Sequence, residues 1–323
     1  MTEDLEINAS LNAVEYKKAY DACCKKLLSN KQILAHIIKE CVDEFKEVDL
    51  EEIPACIDDI QISSDKIQGL NVEDESILGA RIQYDILFKL TTPIEQEQID
   101  LIINIEAQNK DNPRYDLVSR AIYYCCRLIS RQKNDRNYGF ENSHYENIKK
   151  VYSIWICLEH SKEKDDCIHR YSIQHTNVRG DAEVSKKSYD LFTIVMLYPS
   201  KSYDYEDNRK SLLEMLNVLF SSELSARYKK NKLTADYGIL MVKEINEEVE
   251  SMCNLSDGVY EKGIQQGREQ GLLQGRQQGI QQCRTDYIQK LSSKLNISIK
   301  EAMDLLDIDE EDRITYRVGI QKR

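Results

Sequence analysis

The sequence has little that would direct the chain into a membrane. Its N-terminus, MTEDLEINAS, contains no basic region followed by an apolar stretch, which is the pattern of a secretory signal peptide. The longest strongly apolar run, LFTIVMLY at residues 191–198, is much shorter than the roughly 20 apolar residues needed to cross a bilayer. We therefore expect a soluble, cytoplasmic protein with no membrane contact.

The patterns of a disulfide-stabilised or zinc-stabilised fold are also missing. The ten cysteines are scattered, with adjacent pairs at 23–24 and 125–126, and no C-x-x-C occurs. Without a secretory signal, such cysteines are typical of reduced residues rather than of a disulfide framework. We predict that they are thiols packed in the core.

Positive charge is in deficit. The formal net charge of -12 argues against indiscriminate nucleic-acid binding, because Lys and Arg provide most of the affinity for a phosphate backbone. The charge is uneven, since residues 42–59 hold eight acids and one lysine, whereas residues 109–150 hold nine Lys or Arg and five Asp or Glu. With 323 residues, 41% of them hydrophobic, the chain can bury one large core or two. The basic stretch is the part expected to approach a polyanion.

Three polar side chains interrupt otherwise apolar, strand-like segments. YDILFKL contains Asp85, and LIINIEAQ ends with Glu106 and Gln108, which share one strand face because they are two residues apart. Strands rich in Ile and Leu are buried, so a carboxylate there needs a partner such as a metal ion. Two such carboxylates suit Mg²⁺ or Mn²⁺, which would prepare water to attack a phosphodiester. The alternative is that Asp85 caps a strand end while Glu106 and Gln108 face solvent.

Four segments carry a resemblance to a known family. EDESILGARIQYDILF, LIINIEAQNK, YDLVSRAIYYCCRLISRQ and VYSIWIC resemble, in this order, the PD-(D/E)XK nucleases often called transposase-like or recombination-promoting nucleases. The similarity covers residues 60–200 and returns at the C-terminus. It implies an α/β fold with a restriction-endonuclease-like core, a mixed sheet flanked by helices, and a metal-dependent DNA endonuclease activity.

The resemblance also implies the roles of individual residues. Asp85 and Glu106 would be metal ligands, Ala107 would offer a backbone carbonyl, and Glu73 matches an acidic position upstream. Gln108 stands where the family motif usually has Lys, whose charge would stabilise the transition state, although Gln is common in the branch that this chain resembles. The alternative function is a catalytically weak or inactive DNA-binding or assembly protein that retains the nuclease fold. A nuclease of cellular defence would share the same chemistry.

The basic stretch contains a predicted amphipathic helix at residues 115–132. Arg120, Arg127 and Arg131 lie on one helical stripe and are the candidate DNA-binding residues. The alternative is a solvated outer face. Tyr123 and Gln132 match family positions whose side chains would contact the metal ligands and not the metal itself. The alternative is that both residues only pack against their neighbours.

The rest of the chain reads as helices around this core. Residues 8–46 predict two helices separated at Ser29-Asn30, residues 149–158 and 189–198 predict further strands, and residues 208–255 are helical by pattern. We therefore divide the chain into a helical N-terminal segment at 1–59, a nuclease-like domain at 60–255 and a helical tail at 256–323.

The tail contains a short repeat in which glycine recurs every four residues from Gly263 to Gly279. Each glycine costs a helix about 1 kcal/mol relative to alanine, so the five glycines disfavour an isolated helix by roughly 5 kcal/mol. A helix here would need a partner at close backbone distance. We predict a docking or self-association helix that forms a homo-oligomer, with a flexible linker as the alternative.

Overall fold

The computed structural model forms two compact units, Met1–Asp257 and Gly258–Arg323. The structure describes residues 18–62, 73–74, 82–93, 100–108, 115–133, 139–200, 202–203, 209–310, 312–313 and 316. Within these ranges, no helix combines the length and the apolar character needed to cross a membrane.

The first unit is built on an open, mixed six-stranded sheet, which confirms the predicted α/β class. The strands run in the order β1-β4-β5-β6-β8-β7, with β5, β6 and β8 parallel to one another and the remaining pairings antiparallel. The parallel strands are rich in Ile and Val and are buried on both faces, as parallel sheets usually are. The strand bounds are β1 Ile57–Ile62, β4 Ile86–Thr91, β5 Asp100–Gln108, β6 Lys150–Cys157, β7 Cys167–Ser172 and β8 Phe192–Tyr198. A separate antiparallel pair consists of β2 Glu73–Asp74 and β3 Ile82–Gln83.

Helices cover both faces of the six-stranded sheet. One apolar cluster joins α3 to one sheet face, and a larger cluster joins the other face to α1, α2, α4, α5 and the beginning of α6. The helix bounds are 18–28 for the described part of α1, then α2 Lys31–Cys41, α3 Leu117–Arg131, α4 Leu212–Phe220, α5 Ala226–Tyr237, α6 Lys243–Leu295 and α7 Ile299–Leu305. The N-terminal helices thus share the core of the sheet.

The predicted break between the two N-terminal helices is confirmed, and its cause is a cap. The Asn30 side chain accepts a hydrogen bond of 2.9 Å from the Gln32 amide and satisfies one of the free N–H groups that begin a helix. Residues 8–17 of the predicted first helix lie outside the described residues.

The sequence-based prediction of strands needs three corrections. Asp85 lies at a bend directly before β4 and not inside the strand. The prediction missed β1, because acids interrupt its apolar pattern and its pairing is irregular between Asp58 and Gln61. It also missed β7, an edge strand that is largely exposed and has no apolar run.

The cysteines are thiols, as predicted. None of the ten forms a disulfide, and six of them are buried. Burial raises the pKa of Cys23 and Cys125 to about 12, which keeps these thiols protonated and unreactive.

In the second unit, the glycine repeat is helical. Gly271, Gly275 and Gly279 lie within α6, so this part of the repeat is helical as predicted, whereas docking and self-association stay predictions. Beyond α6, the Ser298 side chain caps α7. A small apolar core closes the unit and contains Ile288, Ala302, Met303, Ile308 and Tyr316.

Candidate carboxylate site

Asp85 and Glu106 lie side by side at the junction of β4 and β5. The two strands are antiparallel neighbours, with Ile86 opposite Ile105. The Asp85 N–H donates to Glu106 Oε1 at 3.2 Å, and the Ala107 N–H donates to Asp85 Oδ2 at 3.2 Å. Each carboxylate therefore accepts a hydrogen bond from the strand that carries the other. The structure brings together the two residues that the sequence pattern paired.

These carboxylates are held where negative charge is costly. Glu106 is only 3% exposed. Burial raises the pKa of Glu106 well above its ordinary value of 4.5, and the neighbouring charge of Asp85 raises it further. Burial also raises the pKa of Asp85, against the opposing effect of Lys25. A cation placed beside both groups would relieve this cost.

Asn104 supports Glu106 from the same strand face, and sequence reasoning missed it. Its side chain hydrogen-bonds the Glu106 carboxylate, and its Nδ2 donates to Ser153 Oγ at 3.3 Å. The Trp155 Nε1–H donates to the same hydroxyl at 2.9 Å. The signal was available, because residues 104, 106 and 108 follow the two-residue period of one strand face.

Lys25, on helix α1, also reaches the site and was not predicted. Its Nζ lies 2.9 Å from Asp85 Oδ1 and 2.9 Å from Asp21 Oδ2. Burial opposes the charged form, but Asp85 and Asp21 outweigh it and raise the pKa of Lys25. In the sequence, Asp21 and Lys25 form an ordinary i, i+4 ion pair of a solvated helix face, so nothing there links them to the strands.

Arg120 is the one predicted DNA-binding residue whose charge reaches Glu106. Burial disfavours its charged form, but hydrogen bonds to Tyr124 and the charge of Glu106 raise the pKa of Arg120. Its Nη2 donates to the Tyr124 hydroxyl at 2.5 Å, and its Nη1 donates to the Tyr115 hydroxyl at 2.7 Å. The guanidinium carbon also lies 5.3 Å from the centre of the Trp155 ring. These contacts fix the guanidinium in place.

The other predicted members of the α3 surface do not join this site. Arg127 is only 2% exposed, so the expected exposed row of three arginines is wrong at this position. Its Nη1 donates to the Tyr123 hydroxyl at 3.3 Å, and Tyr123 itself is exposed. Arg131 is half-buried. Gln132 exchanges two hydrogen bonds with the Lys149 backbone, at the opposite end of the sheet from Glu106.

The structure describes Glu73 and Gln108 by their backbone only. Glu73 lies in β2 and pairs with Gln83, in the small sheet and not in the six-stranded one. Gln108 ends β5 opposite Cys157, two residues beyond Glu106. The predicted roles of both side chains and of the Ala107 carbonyl stay predictions.

The described part of the chain contains no group of three or more His, Cys, Asp or Glu side chains arranged to hold a metal ion. No protein-family model, curated protein or solved structure matches the chain. The proposed function therefore rests on the chemistry of the site and on the four sequence segments that resemble PD-(D/E)XK nucleases.

Proposed function

We propose that the protein is a metal-dependent DNA endonuclease with a PD-(D/E)XK-like core, in which Asp85 and Glu106 hold Mg²⁺ or Mn²⁺. One observation carries the proposal: the partly buried Asp85, directly before β4, and the buried Glu106 of β5 each accept a hydrogen bond from a backbone N–H beside the other. The order of the four segments that resemble these nucleases supports it. The substrate class, DNA, rests on that resemblance and on the local excess of basic residues at 109–150.

The donor set fits a hard divalent cation. Mg²⁺ takes oxygen ligands and keeps several waters, so one or two protein carboxylates suffice and a third protein ligand is not needed. The raised pKa of Glu106 has burial and the charge of Asp85 as its main causes, and both effects favour a bound cation. When bound, the ion would supply positive charge and lower the pKa of a coordinated water.

The protein's own residues have distinct parts in this proposal. Asp85 and Glu106 hold the ion, and Asn104 orients the Glu106 carboxylate. Gln108, two residues beyond Glu106 in β5, is the residue that we expect to hydrogen-bond the attacking water, and it adds no charge. Arg120, fixed by the hydroxyls of Tyr115 and Tyr124, is a preorganised cation for a backbone phosphate.

Plasmid nicking tests the proposal directly. Supercoiled DNA is incubated with the full-length protein in Mg²⁺, in Mn²⁺ and in EDTA. We expect nicking in either metal and none in EDTA. Asp85→Asn and Glu106→Gln should each lower the rate by about 100-fold or more, because each removes charge that the ion and the transition state require.

A matched control comes from the opposite end of the sheet. Glu44 is a mostly buried carboxylate that accepts a hydrogen bond of 2.6 Å from the Tyr152 hydroxyl. Glu44→Gln should keep the nicking rate of the wild-type protein once both are shown to be folded by circular dichroism. Full activity of Asp85→Asn and Glu106→Gln would refute the assignment.

A second candidate function is a DNA-binding or assembly protein without turnover. The ion pair between Lys25 and Asp85 favours it, because a resident cation already neutralises one of the two carboxylates. In that case the protein would shift DNA in a gel equally with Mg²⁺ and with EDTA, and neither condition would produce nicks. Nicking that requires the metal refutes this candidate.

A further inference from the structure

Two neighbouring lysines on α1 lie in very different surroundings. The Lys25 side chain is 13% exposed, whereas the Lys26 side chain is 62% exposed and bonds Glu248 at 2.8 Å. A lysine is rarely this buried unless its ammonium group is paired, and Lys25 is paired with Asp85 and Asp21. The fold therefore directs one lysine of this helix to the carboxylate site.

The position of Lys25 is fixed by the packing of α1. Cys24, Leu27 and Leu28 of this helix are buried in the same apolar cluster as Ile105 of β5. Because α1 cannot shift without opening that core, the Lys25 stem begins at a constant distance from the strands. Its four-carbon stem still allows the ammonium group to turn between nearby acceptors.

We propose that Lys25 is the basic residue of the carboxylate site and contacts the phosphate, or the water that attacks it, once a metal ion takes Asp85. This inference rests on the proposed nuclease function and adds a residue from outside the strand motif. Position 108, two residues beyond Glu106, is a glutamine and is neutral. Arg120 also carries charge, but the hydroxyls of Tyr115 and Tyr124 fix its guanidinium, which serves a backbone phosphate in the proposed function. Lys25 is already in contact with Asp85.

The Lys25 ammonium group should also lower the affinity of the site for a metal ion, which can be measured without cleavage. An ammonium group and a divalent cation compete for the same carboxylate and repel each other at short range. Lys25→Met should therefore tighten Mn²⁺ binding, with a Kd about tenfold lower by calorimetry on full-length protein without DNA. A lysine with only a structural part would, on removal, leave the site less ordered and weaken Mn²⁺ binding.

Cleavage gives the second readout. Lys25→Met should lower kcat by about 100-fold with a smaller change in KM for plasmid DNA, because the lost charge acts mainly in the transition state. Lys26→Met, the matched control, should change neither kcat nor Mn²⁺ affinity. Lys25→Arg keeps the charge and the ion pair, so it should fold normally and retain part of the activity.

The sharpest test moves the charge to the strand. In the Lys25→Met background, Gln108→Lys should restore at least part of the lost kcat, which a purely structural role for Lys25 does not predict. If wild-type protein cleaves and folded Lys25→Met cleaves equally well, or if Lys25→Met binds Mn²⁺ more weakly, the role of Lys25 is refuted while the nuclease function stands. If wild-type protein shows no metal-dependent cleavage, the nuclease function is refuted and this inference with it.

Discussion

Two clusters of buried charged side chains lie at opposite ends of β5 and β6, and they differ in how fully their charges are paired. At one end, Lys150 Nζ contacts Glu44 at 3.1 Å and Asp190 at 2.7 Å. At the other end, five strand positions or about 16 Å away, Glu106 accepts a hydrogen bond from the Asp85 amide, and burial together with the charge of Asp85 raises the pKa of Glu106 well above its ordinary value.

The difference in pairing distinguishes charged groups that stabilise the fold from charged groups that are available to a ligand. In the Lys150 cluster, one ammonium group donates hydrogen bonds to both Glu44 and Asp190, and the Tyr152 hydroxyl donates to Glu44. These bonds connect β6 to two segments that are distant in sequence. In the carboxylate site, Lys25 pairs with Asp85, whereas Glu106 accepts a backbone hydrogen bond from a neutral amide. A cation from solution would therefore stabilise the buried Glu106 carboxylate more than it would the already paired carboxylates of the Lys150 cluster.

The largest expected effect is that one substitution in each cluster changes the free energy of unfolding in opposite directions. Lys150→Met leaves Glu44 and Asp190 without their shared partner, so it should lower the free energy of unfolding by about 3 kcal/mol. Glu106→Gln removes a carboxylate whose charged form is disfavoured by burial, and it should raise that free energy by about 1 kcal/mol in EDTA. Urea unfolding followed by circular dichroism measures both. If the two substitutions change stability in the same direction, the distinction between the clusters fails.

Lys229 is a second buried lysine, and among the described residues its ammonium group has no carboxylate in contact. Lys229 is fully buried in α5, and its Nζ donates to the Leu219 carbonyl at 3.1 Å. Burial lowers the pKa of Lys229 below its ordinary 10.5, with opposing effects from Cys253 and other neighbours. The unfolded chain therefore holds this proton more tightly, and stability rises with pH between the lowered folded pKa and 10.5.

Lys229→Met should remove that dependence. We expect a gain of about 1 kcal/mol at pH 7, limited by the lost hydrogen bond to Leu219, that shrinks as the pH approaches 10.5. The matched control is Lys230→Met, which loses an ion pair with the exposed Glu250 and should change stability by less than about 1 kcal/mol. A gain that is constant from pH 7 to pH 10, or a clear loss, would contradict the assignment of burial as the dominant effect.

The sequence predicted the paired carboxylates but not their surroundings, for a physical reason. Asp85 and Glu106 stand out because acids are rare in apolar strands, and the two-residue period fixes which neighbours share their face. Lys25 is contributed by a helix sixty residues earlier in the chain, and its spacing from Asp21 is that of any surface pair. Only the packing of α1 against the strands distinguishes it.

The same limit applies to α3 and to the edge of the sheet. Helical periodicity placed Arg120, Arg127 and Arg131 on one stripe, but it does not state which side of a stripe is covered, and Arg127 is buried. Strands β1 and β7 lack the apolar runs that mark buried strands, because each lies at an edge of the sheet. Local pattern therefore identified the central strands and left the edges and the cross-chain contacts to the tertiary structure.

The smallest expected effect concerns the glycine repeat of α6. Here the unpartnered feature is an exposed stripe of helix backbone and not a charged group. A Cβ atom at Gly271, Gly275 or Gly279 would meet no atom of the described part of the chain within 4 Å, so packing among these residues gives no reason for glycine at the three positions. Leu272 and Ile280 beside them are exposed. We propose that a second copy of α6 lies against this stripe, since small residues permit close approach of two helices.

Replacing all three glycines with alanine distinguishes an effect on helix stability from an effect on helix–helix packing. Alanine favours a helix by about 1 kcal/mol per position, so helix content by circular dichroism should rise whether or not the chain associates. If a second copy packs on the stripe, the added methyl groups separate the helices and the dimer seen by light scattering should weaken several-fold. Gln277→Ala, an exposed substitution within the same tract, should leave association unchanged. If the triple variant and the wild-type protein have the same mass at every concentration, α6 does not associate through its glycines.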